Sequence, residues 1–244
     1  MKWKNIKLEK IMDTQDSQHQ IEITPTLFVS SIQTANERIS RYETLPITAV
    51  QADVSDGQLI DELLLTPSDY ASCSFGSLEV DFHLMVEEPL DYVYEILDYQ
   101  EYLPVRQVIG QIERMSIPHE FIKLCQSHSW IPGISLDIYT PPEEIPENLL
   151  GELGVVQIMG NRMGREGQSL HPEALSKLHH FDTLRQQYGY TYVLSVDVGV
   201  SRESINRLIA AGATQFAIGS ALWKSAHISQ SFTELLQEAN HADH

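Results

Sequence analysis

The chain has 244 residues, of which 42% are hydrophobic, and a formal net charge of −18. This length can bury one complete α/β core, and the negative charge repels nucleic-acid phosphates and anionic lipid surfaces. The apolar runs are far shorter than the roughly 18 residues that a membrane span needs. We therefore expect no nucleic-acid or membrane partner. A small anionic ligand stays open, because a helix N-terminus supplies local positive potential.

Residues 1–20 are polar and include four lysines. They lack the apolar core of a signal peptide, and the two cysteines, Cys73 and Cys125, make no disulfide framework. We expect residues 1–20 to be an N-terminal extension packed outside the main domain. We also expect both thiols to be reduced and the protein to be cytoplasmic.

Apolar, β-branched segments recur at fairly even intervals after this extension, and most are followed by a segment with helical spacing. Several are nearly continuous hydrophobic runs, as parallel strands covered by helices are. Ser30 or Ser31 can cap the first helix, which would run toward Tyr42. The predicted strands are residues 21–29, 47–54, 78–86, 105–112, 131–139, 155–160, 190–197 and 214–219.

The alternation of eight strands with helices predicts a single (β/α)8 barrel, the TIM barrel, over residues 21–240. No Gly-x-Gly-x-x-Gly turn follows the first strand, which argues against a doubly wound dinucleotide-binding sheet. Near the end of the chain, Ser201 can open a helix toward Ala211, and Gly212 can end it. The polar stretch 59–77 after strand two is predicted to be a long loop or a short helix on the catalytic face.

Polar side chains stand at the C-terminal ends of three predicted strands. Because functional groups of such barrels lie at these ends, Asp53, His83 and Asp197 would meet at the barrel mouth. Taken singly, each residue has a plainer structural interpretation: Asp53 as a turn former, His83 as a hydrogen-bonded core histidine and Asp197 as a helix cap. Three together favour a site. The residues predicted to share an inward face are Gln51, Asp53 and Ser55 on strand two, Asp81, His83 and Met85 on strand three, and Asp197 on strand seven.

Six short segments carry a recognisable pattern in chain order. They are Pro25-Thr26-Leu27, residues 50–57, His83-Leu84-Met85-Val86, Met159 with residues 164–168, residues 196–200, and residues 211–213 with 219–221. Together they resemble the motifs of the ribulose-phosphate 3-epimerase family. The resemblance spans roughly residues 21–224, and residues 90–150 match poorly.

The resemblance implies an isomerase that inverts C3 of a ketopentose 5-phosphate through an enediolate. That chemistry needs one base on each face of the reacting carbon, and Asp53 and Asp197 would be the two. It also implies one divalent ion, Zn, Fe, Mn or Mg, held by Asp53, His83 and Asp197. Gln51 stands where the family has a further histidine ligand.

The resemblance also implies the partner and the residues that would bind it. The expected ligand is a small sugar or sugar phosphate. Family members are often oligomers, which leaves homo-oligomerisation open. The predicted substrate-binding residues are Thr26, Met85, Met159, Gly164, Gly167, Gly199, Gly219 and Ser220.

Four positions depart from the family pattern. Gln51 replaces a histidine and Ser55 a methionine, while Glu166 and Val198 replace glycines near the expected phosphate site. An amide oxygen is a poor ligand for Zn²⁺ and a tolerable one for harder ions. Arg165 would offset the charge of Glu166 only if its side chain turned inward. We therefore predict weak phosphate binding and a preference for an unphosphorylated or differently substituted ketose.

Two other functions remain to be weighed. A catalytically idle barrel that binds a ligand or a partner is consistent with the altered metal and phosphate positions, but the retained Asp53, His83 and Asp197 favour an enzyme. Hexulose-phosphate synthases and orotidine-phosphate decarboxylases carry an Asp-x-Lys-x-x-Asp motif. The segment 53–56 lacks that lysine, which argues against this activity.

Overall fold

The computed structural model describes residues 21–241. The predicted extension, residues 1–20, lies outside the described residues. Within residues 21–241, eight parallel strands close into a barrel in sequence order, from β1 to β8 and back to β1. The predicted (β/α)8 barrel is confirmed.

All eight predicted strands are present, each somewhat different in extent from its prediction. The fifth ends at Leu136 rather than residue 139, and the seventh begins at Val193 rather than residue 190. The strands are β1 Glu22–Leu27, β2 Ala49–Ser55, β3 Glu79–Met85, β4 Val105–Gln111, β5 Ile131–Leu136, β6 Val155–Met159, β7 Val193–Asp197 and β8 Gln215–Ile218.

Helices follow the strands and cover the outside of the barrel. Short 3-10 helices span Ile112–Arg114 and Pro142–Glu144. None of the helices in the described range combines the length and the apolar composition of a membrane-crossing segment. The α-helices are α1 Ile32–Tyr42, α2 Pro67–Tyr70, α3 Pro89–Asp98, α4 Pro118–Ser127, α5 Glu147–Leu150, α6 Pro172–Tyr188, α7 Ile205–Ala210, α8 Ser220–Trp223 and α9 Ile228–His241.

Two helix starts were predicted, and one was wrong. The side chain of Ser31 accepts a hydrogen bond from the backbone N–H of Thr34 and caps α1, as expected. Helix α7, however, begins at Ile205 instead of Ser201. Residues 202–204 form turns before the helix, and the backbone N–H of Ser201 donates to the Ser204 hydroxyl at 2.8 Å, while that hydroxyl donates to the carbonyl of Gly199 at 2.7 Å.

Side chains of β2 and β3 point alternately toward the surrounding helices and into the barrel. Apolar side chains such as Val54 and Phe82 face the helices and belong to the main hydrophobic cluster. The polar side chains that alternate with them are buried and turned into the barrel: Gln51, Asp53, Ser55, Asp81 and His83. One of these, Asp81, forms an ion pair with Arg106, which also reaches Glu22 at 2.5 Å. Asp81 is therefore a structural partner of Arg106, one layer below the barrel mouth.

The stretch 59–77 holds the short helix α2, as one of the two predicted alternatives. Thr66 and Asp69 form a reciprocal capping box at its start. Ser55 donates its hydroxyl to the carbonyl oxygen of Glu62 at 2.7 Å, which fixes the loop to the end of β2. In this loop Ile60 and Leu64 pack against Met85. The loop thus covers one side of the barrel mouth.

Candidate active site

Three strands bring Asp53, His83 and Asp197 together at the barrel mouth. Asp53 on β2 lies directly beside His83 on β3 in the sheet register, and Asp197 ends β7. All three residues are buried, with 3%, 0% and 8% of their surfaces exposed. The Nδ1 atom of His83 lies 3.1 Å from Asp53 Oδ1 and 3.3 Å from Asp197 Oδ2. The predicted meeting of two carboxylates and an imidazole is therefore present in the structure.

Gln51 completes this cluster from below, as a hydrogen-bond donor. Its amide nitrogen donates to Asp53 Oδ1 and to Asp197 Oδ2, each at 2.9 Å, and lies 3.4 Å from His83 Nδ1. Both acceptors are carboxylates, so the amide must turn its nitrogen toward them. The side chain that was predicted as a fourth ligand thus presents N–H groups to the cluster.

Gln111, at the end of β4, holds the other side of the His83 ring. His83 Nε2 lies 2.9 Å from the Gln111 amide, and both ends of that amide are satisfied when its oxygen accepts from Nε2–H. Its nitrogen then donates to Glu113 Oε2 at 2.8 Å. With Nε2 protonated in this way, Nδ1 is directed at the two carboxylates.

Burial and the neighbouring charges together shift the pKa values of His83 and Asp53. Burial lowers the pKa of His83, but hydrogen bonds and charges from Asp197 and Asp53 outweigh it and raise the pKa to about 9. Burial raises the pKa of Asp53 above its ordinary value, with the charge of Asp197 adding to the rise, although hydrogen bonding from His83 opposes it. The cluster therefore favours a positive charge on the imidazole and makes Asp53 less acidic than an exposed aspartate.

The three residues also fit a divalent metal ion. One ligand atom from each of Asp53, His83 and Asp197 can be chosen so that all lie within 4.8 Å of one another. One nitrogen and two oxygens suit several divalent ions, and catalytic metal sites commonly use three protein ligands and an open position. Gln51 does not complete the set in its present orientation, because an amide nitrogen has no free lone pair.

A cleft opens above the cluster, and both aspartates line it. Its empty space, including the open mouth, is about 560 Å³. Phe28, which the sequence did not single out, lines it as well, together with Val200 from the family-like segment 196–200. All the predicted substrate-binding residues line this cleft: Thr26, Met85, Met159, Gly164, Gly167, Gly199, Gly219 and Ser220. Their roles in binding stay predictions.

Residues 22–223 match the model of the ribulose-phosphate 3 epimerase family. The chain belongs to this family. It is 24% identical over 219 residues to a ribulose-phosphate 3-epimerase of Bacillus subtilis, covering 88% of this chain and 98% of the relative. It is 26% identical over 202 residues to one of Treponema pallidum, covering 82% and 90%. This epimerase family member is thereby an isomerase, as its sequence motifs predicted.

Solved structures of other enzymes share the fold alone. The 3-hexulose-6-phosphate synthase of Salmonella typhimurium superposes with a TM-score of 0.64 at 12% identity, covering 91% of this chain and 100% of the synthase. A tryptophan synthase α-subunit of Pyrococcus furiosus superposes with a TM-score of 0.63 at 14% identity, covering 90% of this chain and 98% of the subunit. Identities this low carry no functional assignment.

The positions that depart from the epimerase family pattern have clear places in the structure. Ser55 anchors the loop at Glu62, as described above. Val198 has a φ of 68°, in the left-handed region that a β-branched residue rarely adopts. Its carbonyl oxygen lies against Gly160, 2.0 Å from where a Cβ on that glycine would be. A strained valine therefore stands at the wall of the cleft, beside Asp197.

Proposed function

We propose that this epimerase family member inverts C3 of a ketopentose, with Asp53 and Asp197 as the two proton-transfer groups. The observation that carries the proposal is that two buried carboxylates, from β2 and β7, face one cleft and flank the same imidazole nitrogen. A single carboxylate removes and returns a proton on one face only. Inversion needs a second on the other face, and the pair supplies it.

One carboxylate is ionised and the other protonated at the start of each turnover. The ionised group takes the proton from C3, and the electron pair of the C–H bond enters the enediolate, whose charge rests on the C2 oxygen. The protonated group then delivers its proton to the opposite face of C3. The raised pKa of Asp53 supports this division, because burial makes its protonated form easier to populate than that of an exposed aspartate.

The neighbours of the pair support charge stabilisation and water exclusion. In the absence of a metal ion, protonated His83 would offset the negative charge of whichever of the two neighbouring carboxyl groups is ionised. Met85 and Met159 line the cleft with apolar, adaptable side chains. Met159 lies beside Asp197 in the sheet register. Apolar walls strengthen electrostatic interactions in the site by keeping water out.

A divalent ion, when bound, would polarise the ketose carbonyl and stabilise the developing negative charge. Asp53, Asp197 and His83 would hold it, with His83 neutral and its Nδ1 atom as the ligand. The Gln51 amide nitrogen lies within 3.4 Å of a potential ligand atom of each of these residues. An ion held by these atoms would compete with the Gln51 N–H groups, which donate hydrogen bonds to both carboxylates.

The same placement of Gln51 favours one other function, a barrel that binds a ligand without turning it over. The amide donates to both carboxylates, so the cluster is internally hydrogen-bonded without a cation. Ligand binding without loss of the C3 proton is the outcome that this second function predicts.

Conversion between D-ribulose and its C3 epimer, offered with and without a 5-phosphate, tests the proposal. We expect Asp197→Asn to lower the rate by about 10²–10⁴-fold, the usual effect of losing a general acid or base. Asp56→Asn is the matched control, since Asp56 follows β2 and accepts hydrogen bonds from the N–H groups of Gln58 and Glu87 outside the cluster. Near-normal turnover by Asp197→Asn would contradict the two-carboxylate mechanism.

A further inference from the structure

One wall of the cleft is formed by the segment 164–168 after β6 and by the ends of β7 and β8. Glu166 lies in this wall and is half-buried. Its Oε1 atom lies only 3.0 Å from the place that a Cβ on Gly219 would occupy. Thr26 Oγ1 lies 2.8 Å from the same place. The carboxylate of Glu166 thus sits directly against the exposed backbone at the end of β8, within the cleft.

Trp223, at the end of α8, holds the Glu166 carboxylate in this position. Its indole N–H donates to Glu166 Oε1 at 3.0 Å. The indole is itself fixed, because the guanidinium of Arg38 stacks 4.1 Å from the ring centroid and Arg41 donates to the Trp223 carbonyl at 3.0 Å. The carboxylate is therefore oriented by the fold and does not depend on a ligand for its position.

The charge of Glu166 is not neutralised by an ion pair with any other residue in the range 21–241. Arg165, next in the chain, is exposed and lies between this cleft and a neighbouring cavity. Val198 adds a branched apolar side chain to the same wall. A phosphate group placed here would meet a carboxylate and an isopropyl group, and like charges repel strongly in a partly buried site.

We propose that Glu166 makes this wall a binding site for the neutral, hydroxyl-bearing end of a ketose and excludes a phosphate there. A sugar hydroxyl donates well to a carboxylate, and such a hydrogen bond is stronger than one between neutral groups. This inference rests on the proposed function, because it assigns the far end of the substrate whose C3 the aspartates would invert. It names Glu166 as the residue that sets substrate class.

Calorimetric titration with inorganic phosphate tests the inference without any turnover. Glu166→Gln removes the charge and keeps the shape, and we expect it to bind phosphate at least about tenfold more tightly than the parent protein. Glu101→Gln is the matched control: Glu101 is an exposed residue between α3 and β4, at the opposite end of the barrel, and its loss should leave phosphate binding unchanged. Equal phosphate affinity in the parent and Glu166→Gln, whether tight or absent, would overturn the inference.

The ratio of kcat/KM for D-ribulose to that for D-ribulose 5-phosphate gives the second readout. The parent should favour the unphosphorylated sugar, and Glu166→Gln should shift the ratio toward the phosphate by about tenfold. An unchanged ratio would also overturn the inference. If neither sugar is epimerised, the proposed function fails, while the phosphate titration still decides whether Glu166 excludes an anion.

Discussion

Gln51→His should tighten zinc binding, because the Gln51 amide competes with an ion for the two carboxylates of the cluster. The amide makes two hydrogen bonds of 2.9 Å to carboxylates. Hydrogen bonds to charged groups contribute about 1.5–3 kcal/mol each, so an ion must displace roughly 3–6 kcal/mol of interaction before it binds. An imidazole removes this competition and adds a nitrogen ligand. Taking the lower end of the range, we expect zinc to bind about 10²-fold more tightly to the variant.

Competition with a chelator of known affinity measures this difference, and Gln51→Ala separates its two causes. Alanine removes the competing amide without adding a ligand, so zinc affinity should rank histidine first, alanine second and the parent last. The reasoning is refuted if alanine binds zinc more weakly than the parent, because the Gln51 oxygen would then be a ligand. Equal affinity in the parent and Gln51→His would place residue 51 outside the coordination sphere.

Three further predictions concern stability. Val198→Gly should stabilise the fold by roughly 0.5–1 kcal/mol in urea unfolding, because relief of the left-handed strain at φ 68° outweighs the extra chain entropy of glycine; a loss of stability would show that the valine is unstrained. With chelator present, the free energy of unfolding should fall as the pH rises from 6.5, the unfolded-state pKa of His83, through its folded-state pKa of about 9, because the folded state binds the proton more tightly in that window. If His83→Gln shows the same dependence of the free energy of unfolding on pH, the dependence belongs to another group. Arg106→Met should destabilise the protein by about 3–5 kcal/mol, because it leaves Asp81 buried without its partner, and adding Asp81→Leu should restore much of the lost free energy of unfolding. Equal stability of the single and double variants would contradict the role of Asp81 as the structural partner of Arg106.

The barrel could be predicted from the sequence because apolar segments with β-branched residues recur at fairly even intervals and most are followed by a segment with helical spacing. Alternation then identified which side chains face inward: Asp53 and His83 lie on the inner faces of adjacent strands, and register brings them together. Asp197 could be added because it ends a strand. These are local patterns, and a barrel converts them into proximity without further information.

The orientation of the polar groups could not be predicted in the same way. Gln51 was expected as a weak ligand, yet its nitrogen faces two carboxylates, a result that depends on atoms from three strands. Gln111 shares the inward alternation of β4 with Gln107, but it lies in the part of the chain that matches the family poorly and was not singled out. The contact between Trp223 and Glu166 joins residues 57 positions apart. Composition and spacing carry no signal for such a pair.

Exchange of the C3 hydrogen for deuterium in D₂O tests the two-carboxylate mechanism most directly. It is followed by NMR on each of the two C3 epimers separately, with Asp53→Asn and Asp197→Asn. Because each carboxylate transfers protons on one face of C3, each variant should exchange the C3 hydrogen of one epimer only. The epimer exchanged by Asp53→Asn should differ from the one exchanged by Asp197→Asn. Neither variant should interconvert the two epimers at an appreciable rate. Exchange of the same epimer by both variants, exchange by neither, or continued epimerisation by either would contradict the account.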